Sequence, residues 1–222
     1  MGKKIGVIST KKLAVNQKQF LLNAGFKVMD DDFISINPIP FEINDTYDIL
    51  IFTSQNTVQN ILKHKDKLIL KPVLCVGIKT KQTLESHGFT VLNTQPEASE
   101  LIKIIEKEYL DKSFTFFCGT SRLNTIPNFL NEKGLRHEII EVYETIEIPF
   151  TIQSKMDSIL FFSPSGVSSY VKKNSITDEI CFCIGNTTAK AVEKYSKNIV
   201  IANQPTVENV IIQCINYYKA NS

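Results

Sequence analysis

The chain contains the stretch Asp48-Ile49-Leu50-Ile51-Phe52-Thr53-Ser54, which returns 109 residues later as Asp157-Ser158-Ile159-Leu160-Phe161-Phe162-Ser163. The same offset relates two further sets: Gln95-Pro96 to Gln204-Pro205, and Phe20 with Gly25 to Phe129 with Gly134. A period of this length is too long for a solenoid repeat and is about the size of a small domain. The sequence therefore predicts two copies of one unit, with a cleft between them that binds a small molecule.

Each copy alternates short apolar strands with helices. Residues 49–52 and 159–162 are predicted strands, and the Ser/Thr residues after them open helices predicted over 57–63 and 166–172. Gly25 is predicted to end a helix with positive φ, where glycine is favoured. Strands that alternate with helices of this length are typical of parallel βαβ units. The predicted fold class is α/β, with two similar parallel-sheet domains.

Composition argues against several classes of function. The 222 residues carry a formal net charge of +2, too small to indicate a nucleic-acid partner. The longest apolar runs have the length of strands, so we expect no membrane span. The first four residues lead directly into a strand without the apolar core of a signal peptide, and we expect a cytoplasmic protein.

The cysteines and histidines do not form a recognisable metal motif. The five cysteines include no Cys-x-x-Cys pair, and the three histidines lie in polar, turn-like stretches. Reduced core cysteines and surface histidines are therefore the preferred interpretation, and no metal site is predicted.

Five loops could carry chemistry, because ligands of parallel sheets bind beyond the carboxyl ends of the strands. Four of them are rich in hydroxyl groups: Thr53-Ser54-Gln55-Asn56, Gly77-Ile78-Lys79-Thr80, Ser163-Pro164-Ser165-Gly166 and Gly185-Asn186-Thr187-Thr188. The fifth, Gly119-Thr120-Ser121-Arg122, adds a guanidinium suited to a carboxylate. Ser, Thr and Asn are also preferred helix caps, and Pro164 suits a first helical turn, so capping alone is the plain alternative. The candidate binding residues are Thr53, Ser54, Asn56, Gly77, Thr80, Arg122, Ser163, Ser165, Gly185, Thr187 and Thr188.

One tyrosine distinguishes the two copies. Tyr143 falls where the offset places Ile34 in the other copy, near the junction between the predicted units. It is either half-buried packing or an acid, since a phenol can donate a proton to a leaving hydroxyl. No Ser/His/Asp arrangement and no phosphate or dinucleotide loop is present. The run Asp30-Asp31-Asp32 is expected to be a solvated connector.

In five ordered segments the chain resembles the uroporphyrinogen-III synthase family. They are Phe52-Thr53-Ser54-Gln55-Asn56-Thr57-Val58, Val76-Gly77-Ile78-Lys79-Thr80, Val142-Tyr143-Glu144-Thr145, Phe161-Phe162-Ser163-Pro164-Ser165-Gly166-Val167 and Ile184-Gly185-Asn186-Thr187-Thr188-Ala189. The resemblance implies that one domain is discontinuous in sequence. It combines residues 1–33 with 148–222, the second domain spans 39–141, and 34–38 with 142–147 form a two-stranded connector.

The resemblance also implies a reaction. Hydroxymethylbilane would lose its terminal hydroxyl and close to uroporphyrinogen III with the last pyrrole inverted, without cofactor or metal, in a cytoplasmic monomer. By matching position, Tyr143 would be the acid, and Thr53, Ser54, Ser163 and Thr188 would line the cleft. The chain departs from the family at residues 9–13, where lysines replace the arginine of many members and lose its bidentate fork.

Two other functions fit parts of the sequence. A two-domain protein with a cleft could be a non-enzymatic sensor of a small anionic ligand, although no DNA-binding helix-turn-helix accompanies it. An isomerase or transferase acting on sugar phosphates could use the Ser/Thr-rich loops, but no acid–base pair lies near them.

Overall fold

The computed structural model describes residues 4–43 and 47–220. Within this part of the chain the strands are β1 Gly6–Ser9, β2 Lys27–Asp30, β3 Ile34–Pro38, β4 Ile49–Phe52, β5 Val73–Val76, β6 Val91–Gln95, β7 Phe114–Gly119, β8 His137–Glu147, β9 Ser158–Phe161, β10 Ile180–Cys183 and β11 Ile199–Ile201. The helices are α1 Val15–Asn23, α2 Gln55–Ile61, α3 Lys65–Leu68, α4 Ile78–Ser86, α5 Ala98–Glu108, α6 Thr125–Glu132, α7 Pro164–Val171, α8 Asn186–Val192 and α9 Val207–Ala220, with a 3-10 turn at Leu62–His64.

Contacts divide the chain into two compact units. The terminal unit comprises Met1–Ser35 and Ile146–Ser222, and the central unit comprises Ile36–Thr145. Each unit contains one sheet flanked by helices, so the predicted α/β class with parallel sheets is confirmed. The finer domain bounds drawn from the resemblance stay a prediction.

The two sheets repeat one strand order. The terminal sheet runs β11-β10-β9-β1-β2, and the central sheet runs β3-β8-β7-β4-β5-β6. Adding 109 to the residue numbers of β4, β5 and β6 brings them onto β9, β10 and β11. Subtracting 109 brings β7 onto β1 and the start of β8 onto β2. The order is therefore the same in both units, and β3 is an addition at the β8 edge of the central sheet.

Both faces of each sheet are covered. Along β9, Ile159 and Phe161 pack on one face while Leu160 packs on the other, and all three are fully buried. In β4, Leu50 and Phe52 pack on one face of the sheet, and Ile49 and Ile51 pack on the other. Strands of parallel sheets are apolar throughout for this reason. Each such side chain contributes about 1.5–3 kcal/mol by leaving water.

Local signals in the sequence correspond to observed backbone features. Gly25 follows α1 with φ of 87°, which confirms the predicted helix end, and Gly134 follows α6 in the same way with φ of 63°. All five cysteines are buried and unpaired, as expected of reduced core residues. Burial raises the pKa of Cys118 to about 11 and of Cys183 to about 12, so these thiols stay protonated and unreactive. No helix among the described residues has the length and apolar character needed to cross a membrane.

Candidate functional site

Two serines start helices at the carboxyl ends of equivalent strands. Ser54 follows β4 and Ser163 follows β9, and both have extended backbones with φ of −153° and −162°. The Ser54 hydroxyl accepts the N–H of Asn56 at 3.2 Å, and that of Ser163 accepts the N–H of Gly166 at 3.0 Å. The helices therefore begin at residues 55 and 164, two residues before the predicted starts. Capping, the plain alternative for these loops, is present in both.

Tyr143 reaches one of these capping serines. Its hydroxyl donates to Ser54 Oγ across 3.5 Å. Tyr143 lies on β8 and Ser54 follows β4, and β7 separates the two strands in the sheet. The half-buried phenol ring therefore extends across the end of β7, above Gly119, to meet the capping hydroxyl.

The loop after β5 supplies a glycine of unusual conformation. Gly77 has φ of 86°, and its N–H donates to the carbonyl oxygen of Gln95 at 2.8 Å. Thr80, in the first turn of α4, is only 4% exposed, and Thr188 of α8 is only 1% exposed. Both residues are almost completely covered by protein, and their contact with a ligand stays a prediction.

Arg122, predicted to bind a carboxylate, already holds one from its own chain. Its Nη1 donates to Glu141 Oε1 on β8 at 2.5 Å. The Arg122 side chain is 22% exposed, and among the described residues its buried Nε has no hydrogen-bond partner. A ligand carboxylate that bound Arg122 would therefore have to compete with Glu141.

In the terminal unit the candidate loops follow β9 and β10. Ser163 and the half-buried Ser165 follow β9, while Gly185 and the exposed Thr187 follow β10. Because β9 and β10 are neighbours, the two loops share one edge of the sheet. Asn56, the remaining candidate, is exposed on α2 of the central unit.

The expectation of a solvated Asp30-Asp31-Asp32 connector is wrong for its first residue. The Asp30 side chain is 3% exposed, and it accepts the N–H of Leu13 at 3.0 Å and Lys18 Nζ at 2.5 Å. Burial opposes its charge, but these two bonds and the positive charges of Lys18 and Lys12 together outweigh burial and lower the pKa of Asp30 below the ordinary 3.8. Asp30 thereby fixes the turn after β1, which carries the exposed Lys11 and Lys12.

A cavity of about 330 Å³ lies in the terminal unit, away from the candidate loops. Its lining includes Met156, Asp157, Glu179 and Ile180, at the amino ends of β9 and β10. None of the predicted site residues lines it, and ligands of parallel sheets bind at the opposite edge. Asp157 Oδ2 already accepts the N–H of Gly6 at 2.8 Å, so this cavity gives no reason to move the candidate site.

Two residues that matter in this arrangement were not among the candidate residues: Glu141 was not predicted at all, and Gly119 was named only as part of the loop at residues 119–122. Glu141 pairs with Arg122, and Gly119 lies beneath Tyr143. The signal for Gly119 was available, because the offset aligns it with Thr10 just as it aligns Tyr143 with Ile34. Glu141 gave no such signal, since only the pairing of β7 with β8 brings it to Arg122. Among residues 4–43 and 47–220, no three His, Cys, Asp or Glu side chains gather as a metal site would require.

Known proteins match the chain in sequence and in fold. The family model described as "Uroporphyrinogen-III synthase HemD" matches residues 17–212. The crystal structure of uroporphyrinogen-III synthetase from Helicobacter pylori 26695 is similar, with a TM-score of 0.71, 20% identity, and coverage of 97% of this chain and 100% of that one. A mutant uroporphyrinogen III synthase from the extremely thermophilic bacterium Thermus thermophilus has a TM-score of 0.72, 14% identity and coverage of 98% and 100%. These two show a shared fold, and the sequence match spans most of the chain, so the protein belongs to the uroporphyrinogen-III synthase family.

Proposed function

We propose that the chain is a uroporphyrinogen-III synthase that cyclises hydroxymethylbilane, with Tyr143 as the acid that assists loss of the terminal hydroxyl. The match of residues 17–212 to the family carries the activity. It also disfavours the non-enzymatic sensor, because the matched family is enzymatic. The role of Tyr143 is supported by the geometry around its phenol.

The chemistry suits a protein without an activated nucleophile. Hydroxymethylbilane loses its terminal hydroxyl as water once that oxygen receives a proton, and an electrophilic azafulvene remains. The substituted carbon of the last pyrrole attacks it, and the spiro intermediate fragments and recloses with that ring inverted. The proton released on rearomatisation balances the one supplied, so one water is the net loss. The protein must hold the chain curled and favour one carbon over its neighbour.

The contact between Tyr143 and Ser54 supports a phenol that can change partners. Ser54 Oγ accepts both the Asn56 N–H and the Tyr143 O–H, which leaves its own proton for a ligand. At 3.5 Å the bond from Tyr143 is long and therefore weak. A leaving hydroxyl at normal hydrogen-bond distance would replace Ser54 as the acceptor at little cost.

The remaining candidates are proposed to hold the carboxylates of the substrate. Exposed or half-buried polar groups follow β4 and β7 in the central unit, and β9 and β10 in the terminal unit. Thr53, Ser54 and Arg122 would serve in the former, and Ser163 and Thr187 in the latter. We further propose a cytoplasmic monomer, as expected of a biosynthetic enzyme with a free small-molecule substrate.

Substitution of Tyr143 by Phe tests the acid. We expect Tyr143→Phe to slow formation of the type III isomer by about 10²-fold, the lower end of what a positioned acid contributes, because the substrate also loses its hydroxyl spontaneously. The melting temperature should stay near that of the wild type, since the bond lost is weak. Tyr195→Phe is the matched control, because Tyr195 is 48% exposed in the terminal unit.

The two parts of the proposal fail separately. A Tyr143→Phe variant with the wild-type rate would remove this tyrosine from the mechanism and leave the activity in place. A wild-type protein that yields no type III isomer above the spontaneous background would overturn the activity itself.

A further inference from the structure

A glycine lies directly beneath the phenol ring of Tyr143. An ideal Cβ built on Gly119 would stand 2.5 Å from Tyr143 Cζ, 2.6 Å from Cε2 and 2.9 Å from the hydroxyl oxygen. Real Cβ atoms essentially never approach another heavy atom within 3.0 Å, and ordinary contact begins at 3.4 Å. Any side chain at position 119 would therefore move the ring by about 1 Å.

The backbone explains why the ring lies there. Along β7 and β8 the register pairs Cys118 with Glu141 and then Gly119 with Tyr143, so Val142 is an extra residue on β8. Such a bulge redirects the side chains that follow it. Paired residues of neighbouring strands present their side chains on the same face of the sheet. The bulge therefore brings Tyr143, and not Val142, opposite the position that lacks a side chain.

Space, and not backbone conformation, is what requires a glycine here. The glycines with positive φ among the described residues are Gly25, Gly77, Gly88 and Gly134, and Gly119 is not one of them. An alanine could therefore adopt the backbone of β7 without strain. The contact with the Tyr143 ring is what it could not accommodate.

The other copy changes both positions together. The offset of 109 residues aligns Gly119 with Thr10 and Tyr143 with Ile34. Thr10 is 3% exposed, and its hydroxyl donates to the carbonyl oxygen of Leu160 at 2.9 Å. The end of the equivalent strand thus accommodates a branched side chain where no tyrosine lies over it.

We propose that Gly119 is a positioning residue: together with the bulge at Val142, its missing side chain lets the Tyr143 ring cross β7 and present its hydroxyl beside Ser54. The inference rests on the proposed function, because it gives Gly119 a role only through Tyr143. A shift of about 1 Å in a reacting group costs about 10²-fold in rate. Gly119→Ala should therefore lose most of the turnover that Tyr143→Phe loses, with little change in KM.

A double-mutant cycle distinguishes positioning from general damage to the strand. The kcat for type III formation is measured for the wild type, Gly119→Ala, Tyr143→Phe and the double variant. If Gly119 acts through the phenol, Gly119→Ala in the Tyr143→Phe background should change kcat by less than about twofold. Gly6→Ala is the matched control, a strand glycine of the terminal unit whose new Cβ would meet its nearest neighbour at 3.2 Å. It should leave kcat unchanged.

Thermal unfolding provides a readout that does not depend on turnover. Gly119→Ala should lower the melting temperature of the wild type but not of Tyr143→Ala, because the ring that clashes with the new Cβ is then absent. Wild-type kcat in Gly119→Ala, an equal loss in both Tyr143 backgrounds, or an equal drop in melting temperature with and without the ring would each overturn the proposal. These results differ from failure of the proposed function, in which the wild type itself forms no type III isomer.

Discussion

Arg122 provides the most direct test of how the substrate is bound. Its guanidinium is paired with Glu141, and the two side chains are 22% and 42% exposed. Exposed ion pairs contribute about 0.2–1 kcal/mol, so Glu141→Gln should lower the free energy of unfolding by at most about 1 kcal/mol. If Arg122 binds a substrate carboxylate, the same substitution removes a competitor. Because about 1.4 kcal/mol corresponds to a factor of ten, KM should fall by up to about fivefold.

The assay measures initial rates of type III formation at several concentrations of freshly prepared hydroxymethylbilane, corrected for the spontaneous type I isomer. Arg122→Gln should raise KM about tenfold or more, since hydrogen bonds to charged groups contribute about 1.5–3 kcal/mol. Glu106→Gln is the matched control, because Glu106 pairs with Lys133 at the same 2.5 Å distance, between the C-terminal ends of α5 and α6.

Either of two patterns of results would refute the reasoning about Arg122. If Glu141→Gln and Arg122→Gln both keep the KM of the wild type, the pair is structural and the guanidinium does not contact the substrate. If Glu106→Gln lowers KM as much as Glu141→Gln does, the effect comes from net charge alone.

Two further predictions concern pH and metals. Asp30→Asn should lower the free energy of unfolding by about 1–3 kcal/mol at neutral pH, because Asp30 accepts bonds from Leu13 and Lys18. Since the pKa of Asp30 is lowered in the folded state, the difference in unfolding free energy between wild type and Asp30→Asn should persist down to pH 3.8 and shrink as the pH falls further. Chemical denaturation at several pH values measures this difference. A difference that stays constant below pH 3.8 would contradict the prediction. Dialysis against a chelator should leave the rate of type III formation unchanged, and a loss restored by added metal would contradict the cofactor-free reaction.

Features of the fold that are local in sequence could be predicted. Gly25 marked a helix end, because a positive φ excludes most other residues. The repeat around residues 48–54 and 157–163 predicted two parallel sheets, since buried strands are apolar on both faces. The helix starts were placed two residues late, because Ser54 and Ser163 serve as caps and the residues after them are already helical.

Features that depend on neighbouring strands could not be predicted. The bulge at Val142 changes no residue type, so nothing in the sequence separates it from regular β8. The pairing of Arg122 with Glu141 depends on the register between β7 and β8. Asp30 looked like one of three solvated acids, and only the packing of α1 against β2 brings Lys18 close to it. The burial of Thr80 and Thr188 likewise follows from how their helices pack.

The composition of the product isomers tests the central claim most directly. Hydroxymethylbilane is generated in situ, the protein is added at increasing concentration, and the oxidised uroporphyrin isomers are separated. The account predicts that the type III isomer replaces type I in proportion to the protein until it dominates. If only type I forms at every protein concentration, the chain has the fold of the family without its activity, and the proposed function is wrong.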